Sequence, residues 1–352
     1  MTRGRAIWGN LSLTQRLLAL TLAAALPGLI ALVTGAIDLR NSRYIEVRAE
    51  AARNAQFVVS ELDQMFDGLK GAMYAMAQAA EVRSQDAATC SDYVNRVRSQ
   101  LESLTAILIA NTDGSIRCFS EERESYPNLA DRDYFQSALA SKSFTIGTYL
   151  ASRVSNRKIV PLAMPIMTGD TLQGLVMTGL NLDWLGRHLK ERGISRGSSV
   201  TIADRNGIII SREPDSHAFV GTPFRDHLRW LLDSKAAGSD EVTGRDGIPR
   251  ILGYIPASLT PFGFYVSTSV GRDEALAPID RSNRTSIALF SVGSLAAVML
   301  AWLVGESIIR RPLKTIVATA QAWRRGAATP RCAPASSTAA TRSACSARPS
   351  IS

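Results

Sequence analysis

Arg132 stands in the run Asp131-Arg132-Asp133-Tyr134-Phe135, a cation between two acids followed by two aromatic rings. A planar guanidinium binds a carboxylate through two parallel hydrogen bonds, and such charge-assisted bonds are about twice as strong as neutral ones. Tyr134 and Phe135 are adjacent, so on a strand they face opposite sides and on a helix they lie about 100° apart. One ring can therefore line a pocket while the other enters a core. Tyr126 and Tyr149 offer hydroxyls, and Arg153 a second cation. This set suits a small anion such as a carboxylate. The alternative for Arg132 is an ion pair with Asp131 or Asp133 at the start of a helix.

Other chemistries find little support. The histidines are His188, His217 and His227, and no two have the spacing of metal ligands on a helix. The chain has no phosphate-cradling glycine loop, no Gly-x-Ser-x-Gly elbow and no Cys-x-x-Cys. Asp204 with Asp215 would make a carboxylate pair for hydrolysis, but turn preferences explain both. The reading is a protein that is not an enzyme and needs no metal or cofactor.

The elements that must carry the anion site begin with two apolar stretches, Leu17–Ile37 and Thr285–Gly305. Each holds about 21 residues without a charge, roughly 31 Å of helix, which is the thickness of a bilayer core. A cleavable signal peptide is the alternative for the first, but its apolar part is too long and no small-residue cleavage site follows. Arg3, Arg5 and Arg16 precede the first stretch, and Arg310, Arg311, Lys314, Arg324 and Arg325 follow the second. Basic flanks stay in the cytoplasm, so both termini lie inside and 38–284 lie outside. The net charge of +9 sits largely at these flanks and in the tail, and it indicates topology rather than nucleic acid. Cys90 and Cys118 fall in the outer part, where oxidising conditions favour a disulfide over two separate buried thiols. Such a bridge would close a loop of roughly 28 residues, worth about 3 kcal/mol. Cys332 and Cys345 fall inside.

After the first stretch, Ala55, Val59, Leu62, Phe66, Leu69, Met73, Met76 and Ala80 recur at heptad intervals. This stripe fits a long helix that packs on its own domain, or one that also pairs with its twin in a homodimer. An internal repeat follows: Leu108–Ile116 is echoed by Thr201–Ile209, each an apolar strand broken by Asp-Gly or Asn-Gly, the hairpin signal. Further β-rich runs come after each copy: Lys158–Met167 and Thr171–Asn181, then Gly247–Tyr254 and Gly263–Val270. Pro161, Pro165, Pro256 and Pro261 are expected at strand starts or edges, and Leu182–Arg192 as a short linking helix. Antiparallel strands with helices at one side make an α+β domain. Past the second stretch, Arg311-Pro312-Leu313 opens a further helix. The segment from Gly326, rich in Ala and Ser with no acid, is expected to be disordered.

This order of parts resembles a bacterial transmembrane receptor with a double Cache domain followed by HAMP, as in sensor diguanylate cyclases and histidine kinases. The residues that carry the resemblance are Asp131 through Phe135, Gly147, Ser152-Arg153, Pro161 through Pro165 and Asn181-Leu182-Asp183. In the second copy they are Asp204-Arg205-Asn206-Gly207, Gly221 and Asp246-Gly247. The resemblance implies that the first run lines the ligand pocket of the membrane-distal module, which adds Ser152 and Asp183 to the candidates. It also implies these divisions: cytoplasmic start 1–16, span 17–37, periplasmic sensor 38–284, span 285–305, the start of HAMP at 306–325, and tail 326–352. Within the sensor it implies a helix at 38–80, a distal module at 81–183 and a proximal module at 190–280. The implied partners are a small-molecule ligand, the lipid bilayer and a second copy of the chain, paired through the long helix and the start of HAMP. Amino-acid-binding relatives carry an acid for the ligand amine where this chain has Gly179-Leu180-Asn181, with Asp183 nearest, which disfavours α-amino acids. The low-complexity tail in place of a second HAMP helix and an output domain is expected of a truncated or frame-shifted receptor gene. A chemotaxis receptor fragment and a membrane-anchored periplasmic enzyme or adhesion protein are the rival readings.

Overall fold

Helix α1 (Leu13–Gln78) runs for 66 residues with Pro27 inside it. The computed structural model describes residues 13–304 except 85, 122–126, 154, 156, 192–197, 215 and 245–246, together with 320–321. The chain divides into two compact units, one of residues 1–33 and 285–352 and one of 34–284. In the first unit α1 exposes Leu22 and Ile30, while helix α8 (Arg272–Val304) exposes Leu289 and Leu295, the last at 73%. Both helices are long and apolar enough to cross a membrane. Gly28 of α1 lies against the ring of Phe290 of α8.

The second unit is α+β. After α1 come α2 (Ala80–Arg83), α3 (Ala87–Gln100), β1 (Leu104–Ala110), β2 (Ile116–Phe119), α4 (Asp133–Ser141), β3 (Thr145–Ile146), β4 (Leu150–Ala151), β5 (Lys158–Thr168) and β6 (Thr171–Asn181). Helix α5 (Leu182–Glu191) leads to β7 (Ser199–Ala203), β8 (Ile209–Glu213), α6 (Ser216–Phe219), α7 (Trp230–Asp233), β9 (Gly238–Thr243), β10 (Pro249–Ile255) and β11 (Tyr265–Gly271). The first sheet has the order β2-β1-β6-β5-β3, with β4 also on β5, and the second β8-β7-β11-β10-β9. All pairings are antiparallel, and the two sheets use one topology twice. The repeated hairpins match in detail: each shifts register at the same step, Ile109/Ala110 and Ile202/Ala203, and turns through a glycine of positive φ, Gly114 and Gly207.

One apolar core joins α1 to the inner faces of both sheets. Val58, Leu62, Phe66, Leu69, Met73 and Met76 of α1 are buried with Ile107, Ile109, Leu162 and Val176 of the first sheet. Ile202, Ile210, Phe264 and Val266 of the second sheet share the same cluster. Phe66 stacks on Phe262 at 5.3 Å and meets Phe264 edge-on at 5.7 Å, contacts worth about 0.5–1.5 kcal/mol each beyond area burial. The heptad stripe therefore packs on its own domain and is not a free seam. Ala80 falls past the helix end, in α2, and is exposed. At Gly253 the backbone of α1 touches β10 directly, since a Cβ there would stand 2.3 Å from Ala51 C and O. Thr268 donates its hydroxyl to Ala51 O at 2.8 Å beside this contact.

Two expectations about local structure are corrected. Pro161 and Pro165 lie inside β5, paired with Gly179 and Leu175 of β6, and not at its start. The carbonyl of Pro161 accepts the Gly147 N–H at 2.8 Å on the outer side, so its missing N–H faces that side and costs β6 nothing. Pro256 and Pro261 lie outside the strands, Pro256 just after β10 and Pro261 in the turn before β11. The expected helix from Arg311 and the expected disordered tail lie outside the described residues apart from 320–321.

Candidate ligand-binding site

Helix α4 begins at Arg132, which holds the capping position in extended backbone (φ −88°, ψ 130°), and no side chain caps it. Arginine has no acceptor to offer, so the first N–H groups of this helix keep their positive dipole end open to an anion. The apolar positions of the helix decide which ring goes where. Phe135 and Ala138 are fully buried against the outer face of the first sheet, beside Met177 and Leu175. Tyr134 packs at the edge of that cluster and lines the cleft outside it. Burial pushes its hydroxyl pKa up, so Tyr134 stays a neutral donor.

The two arginines have different surroundings. Arg153 binds Asp131 through both guanidinium ends, Nη2 to Oδ2 at 2.9 Å and Nη1 to Oδ1 at 3.1 Å. That hydrogen bonding holds the Asp131 carboxyl below its ordinary value. Arg132 makes no ion pair or hydrogen bond through its side chain among the described residues. Its charge helps to depress the Asp131 carboxyl, but no direct pair with Asp131 or Asp133 forms among the described residues.

Arg132 and Tyr134 open on a cleft of about 1310 Å³. Its walls are Asp63, Asp67 and Lys70 of α1, the segment 143–148 with Leu150, Arg205 and Asn206 of the second hairpin, and residues 257–263 without Leu259. Typical small-molecule pockets hold about 300–1000 Å³, so this cleft has room for more than one carboxylate.

The other sequence candidates stand elsewhere. Tyr149 turns its ring toward the second module, where its hydroxyl abuts Gly221. Ser152 accepts the Ser155 N–H at 3.1 Å in a local turn. Asp183 is exposed in the first turn of α5, where Asn181 Oδ1 accepts its N–H at 3.1 Å. Tyr126 lies outside the described residues. The cleft thus gathers Arg132 and Tyr134, and not Phe135, Tyr149, Ser152, Arg153 or Asp183. Sequence reasoning missed Asp63, Asp67 and Lys70 because they lie off the apolar stripe, and nothing in the local sequence marks them. Arg205 enters the sequence reading only as part of the Asp204–Gly207 motif. Its signal was available, since it replaces Thr112 of the first copy with a long cation.

Cys90 of α3 and Cys118 of β2 are joined by a disulfide, with Cα atoms 5.9 Å apart. Asp86 caps α3 by accepting the N–H groups of Ala88 and Thr89 at 3.3 and 3.2 Å. Among the described residues no three His, Cys, Asp or Glu side chains are grouped to hold a metal ion.

Two PAS-like sheet modules in tandem on one long helix, flanked in the sequence by apolar helical stretches, define a sensor-type architecture. Residues 41–279 match the Cache domain family, and the chain belongs to it. Its fold is shared with the ligand-binding domain of Pseudomonas fluorescens chemoreceptor CtaA in complex with L-isoleucine. That structure has 17% identity and a TM-score of 0.55 over 68% of this chain and 98% of that one. The same domain in complex with L-serine gives 19% identity and a TM-score of 0.50, over 67% and 98%. The sensor domain of the V. cholerae histidine kinase DctB gives 13% identity and a TM-score of 0.50, over 65% and 98%. No curated protein sequence matches the chain.

Proposed function

We propose that this Cache protein is a two-pass membrane receptor that binds a small anion, a carboxylate above all, at Arg132 of its membrane-distal module. The observation that carries the reading is the unpartnered Arg132 guanidinium at a helix start that no side chain caps. A ligand carboxylate there would meet a bidentate cation and the helix dipole together. Tyr134 would add a hydroxyl from the same cleft. The apolar parts of α1 and α8 would cross the bilayer, and the basic flanks would hold both termini in the cytoplasm, with 38–284 in the periplasm. Ligand would shift the packing of the module and move the second span, and with it the segment 306–325 that resembles the start of HAMP. Full switching requires about 5.5 kcal/mol of preference for one state. In this reading the chain senses rather than catalyses. A homodimer would pair through the face of α1 opposite the core, because the heptad stripe is covered.

An α-amino acid is the second reading, favoured by one observation. Asp63 and Asp67 line the same cleft as Arg132 and supply the acid for an ammonium group that exposed Asp183 does not. Calorimetry on the purified 40–284 fragment with organic acids and amino acids separates the two. Binding of acids that is lost in Arg132→Ala and kept in Asp63→Asn supports the first reading. Binding confined to amino acids and lost in both variants supports the second. Binding unchanged in Arg132→Ala removes this site from consideration.

A further inference from the structure

The two hairpin turns of the internal repeat are equivalent, and their differences point one way. In the first copy Asn111 donates its side-chain N–H to Ser115 Oγ at 3.0 Å, a contact within its own turn. In the second copy the equivalent residue is Asp204, which is fully buried. Its Oδ1 accepts the N–H groups of Asn206 and Ile208 at 3.0 and 2.9 Å, which completes the turn. Its Oδ2 is left over, and it accepts the N–H of Tyr149 in the first module at 2.8 Å. Arg205, in place of Thr112, donates from Nη2 to Ile146 O at 3.0 Å. Gly221 completes the contact. At φ 88° it adopts a conformation that suits glycine, and a Cβ there would stand 2.3 Å from the Tyr149 hydroxyl oxygen. Three groups of the second module thus grip residues 146–149 of the first.

Of these, Ile146, Gly147 and Thr148 line the cleft that holds Arg132 and Tyr134, and Tyr149 anchors the end of that wall. We propose that Asp204 and Arg205 are positioning residues of the distal anion site, holding its 146–148 wall from the second module through Ile146 and Tyr149. The inference rests on the reading of Arg132 as the anion contact. Asp204 is specialised for the task, because only a carboxylate has two acceptors, one for its own turn and one for Tyr149. An asparagine of the same size would turn an N–H toward the Tyr149 N–H or leave its own turn unpaired. The arrangement makes the proximal module sensitive to occupancy of the distal site with no second ligand.

Hydrogen exchange read by mass spectrometry on the full chain in lipid nanodiscs tests this. Asp204→Asn should speed exchange in 144–150 by about tenfold while β7 and β8 stay within about twofold of wild type. Arg205→Ala removes the bond to Ile146 together with a cation of the cleft wall, and should speed the same peptide by roughly threefold. It decides the question if Asp204→Asn loosens the whole second sheet. Wild-type exchange of 144–150 in both variants overturns the proposal. Sodium acetate, the smallest stable carboxylate probe, separates this from the anion reading. Acetate should raise the wild-type melting temperature, and Asp204→Asn, whose side chain lies outside the cleft, should need about tenfold more for the same shift, since a loosened wall must be re-ordered on binding. Equal acetate midpoints with a loosened wall would overturn the positioning role. No acetate effect in wild type counts against Arg132 itself, and the exchange of 144–150 then decides the role of Asp204 and Arg205 alone.

Discussion

Arg132 and Arg153 carry the same charge and differ in their neighbours, and that difference assigns their roles. Arg153 is locked to Asp131, whereas Arg132 faces the cleft unpartnered. Arg132→Ala should therefore change the melting temperature of the ligand-free sensor by less than the equivalent of about 0.5 kcal/mol, as for an uninvolved surface residue. It should abolish the stabilisation by anions, which at 100 times Kd amounts to about 2.7 kcal/mol in the wild type. Thermal shift with and without organic acids measures both. Asp131 gives a pH signature. Its folded value is depressed by Arg153, so the pair stabilises fully above the ordinary aspartate value near 3.9. That contribution is lost as pH falls through the depressed value. NMR titration of Asp131 should show a downward shift in wild type and a return toward about 3.9 in Arg153→Ala. The adjacent rings divide in the same way: Phe135→Ala should cost about 3–5 kcal/mol of stability by leaving a cavity. Tyr134→Phe should leave stability nearly unchanged and weaken binding, as chemical denaturation and calorimetry would show.

At the scale of elements, α1 is the spine on which both sheets pack, and Gly253 is where its backbone comes closest. Gly253→Ala must push α1 off β10, because the obstructing atoms are the backbone of Ala51 and cannot rotate away. A loss of about 3 kcal/mol, the upper end for overpacking, is expected in urea unfolding. A loss below about 0.5 kcal/mol would show that the helix and sheet do not touch there. Much of this architecture was legible in the sequence. The apolar stripe of α1 and the twin hairpins rest on local periodicity and turn chemistry, which a short window carries. The run Asp131–Phe135 fits a strand or a helix, and only the fold shows that it opens α4 and that Phe135 is the buried ring. What was not legible depends on where distant segments meet. Pro161 and Pro165 read as strand starts or edges, because one residue does not reveal that it lies inside β5 with its missing N–H facing the side of the two-residue strands β3 and β4. Tyr149 read as a pocket hydroxyl, because its true neighbour, Gly221, lies in the other module. Asp63, Asp67 and Lys70 join the site only through tertiary packing.

For the molecule as a whole, the proposed receptor requires a bilayer around the apolar parts of α1 and α8, with the Cache domain on the outer side. Leu22, Ile30, Leu289 and Leu295 have no apolar cover of their own, and soluble proteins rarely leave such continuous surface to water. The apolar windows of both helices are 0% buried. In the proposed receptor lipid would supply the missing environment, and the arginines beyond each stretch would set the direction. The most direct test is labelling of intact bacterial cells with a membrane-impermeant maleimide. Lys235→Cys places a thiol on an exposed loop of the second module, while Cys332 and Cys345 lie beyond the second apolar helix. A two-pass receptor with its sensor outside gives rapid labelling of the introduced thiol in intact cells, and labelling of Cys332 and Cys345 only after the membrane is permeabilised. Labelling of Cys332 and Cys345 in intact cells with Lys235→Cys protected would contradict it.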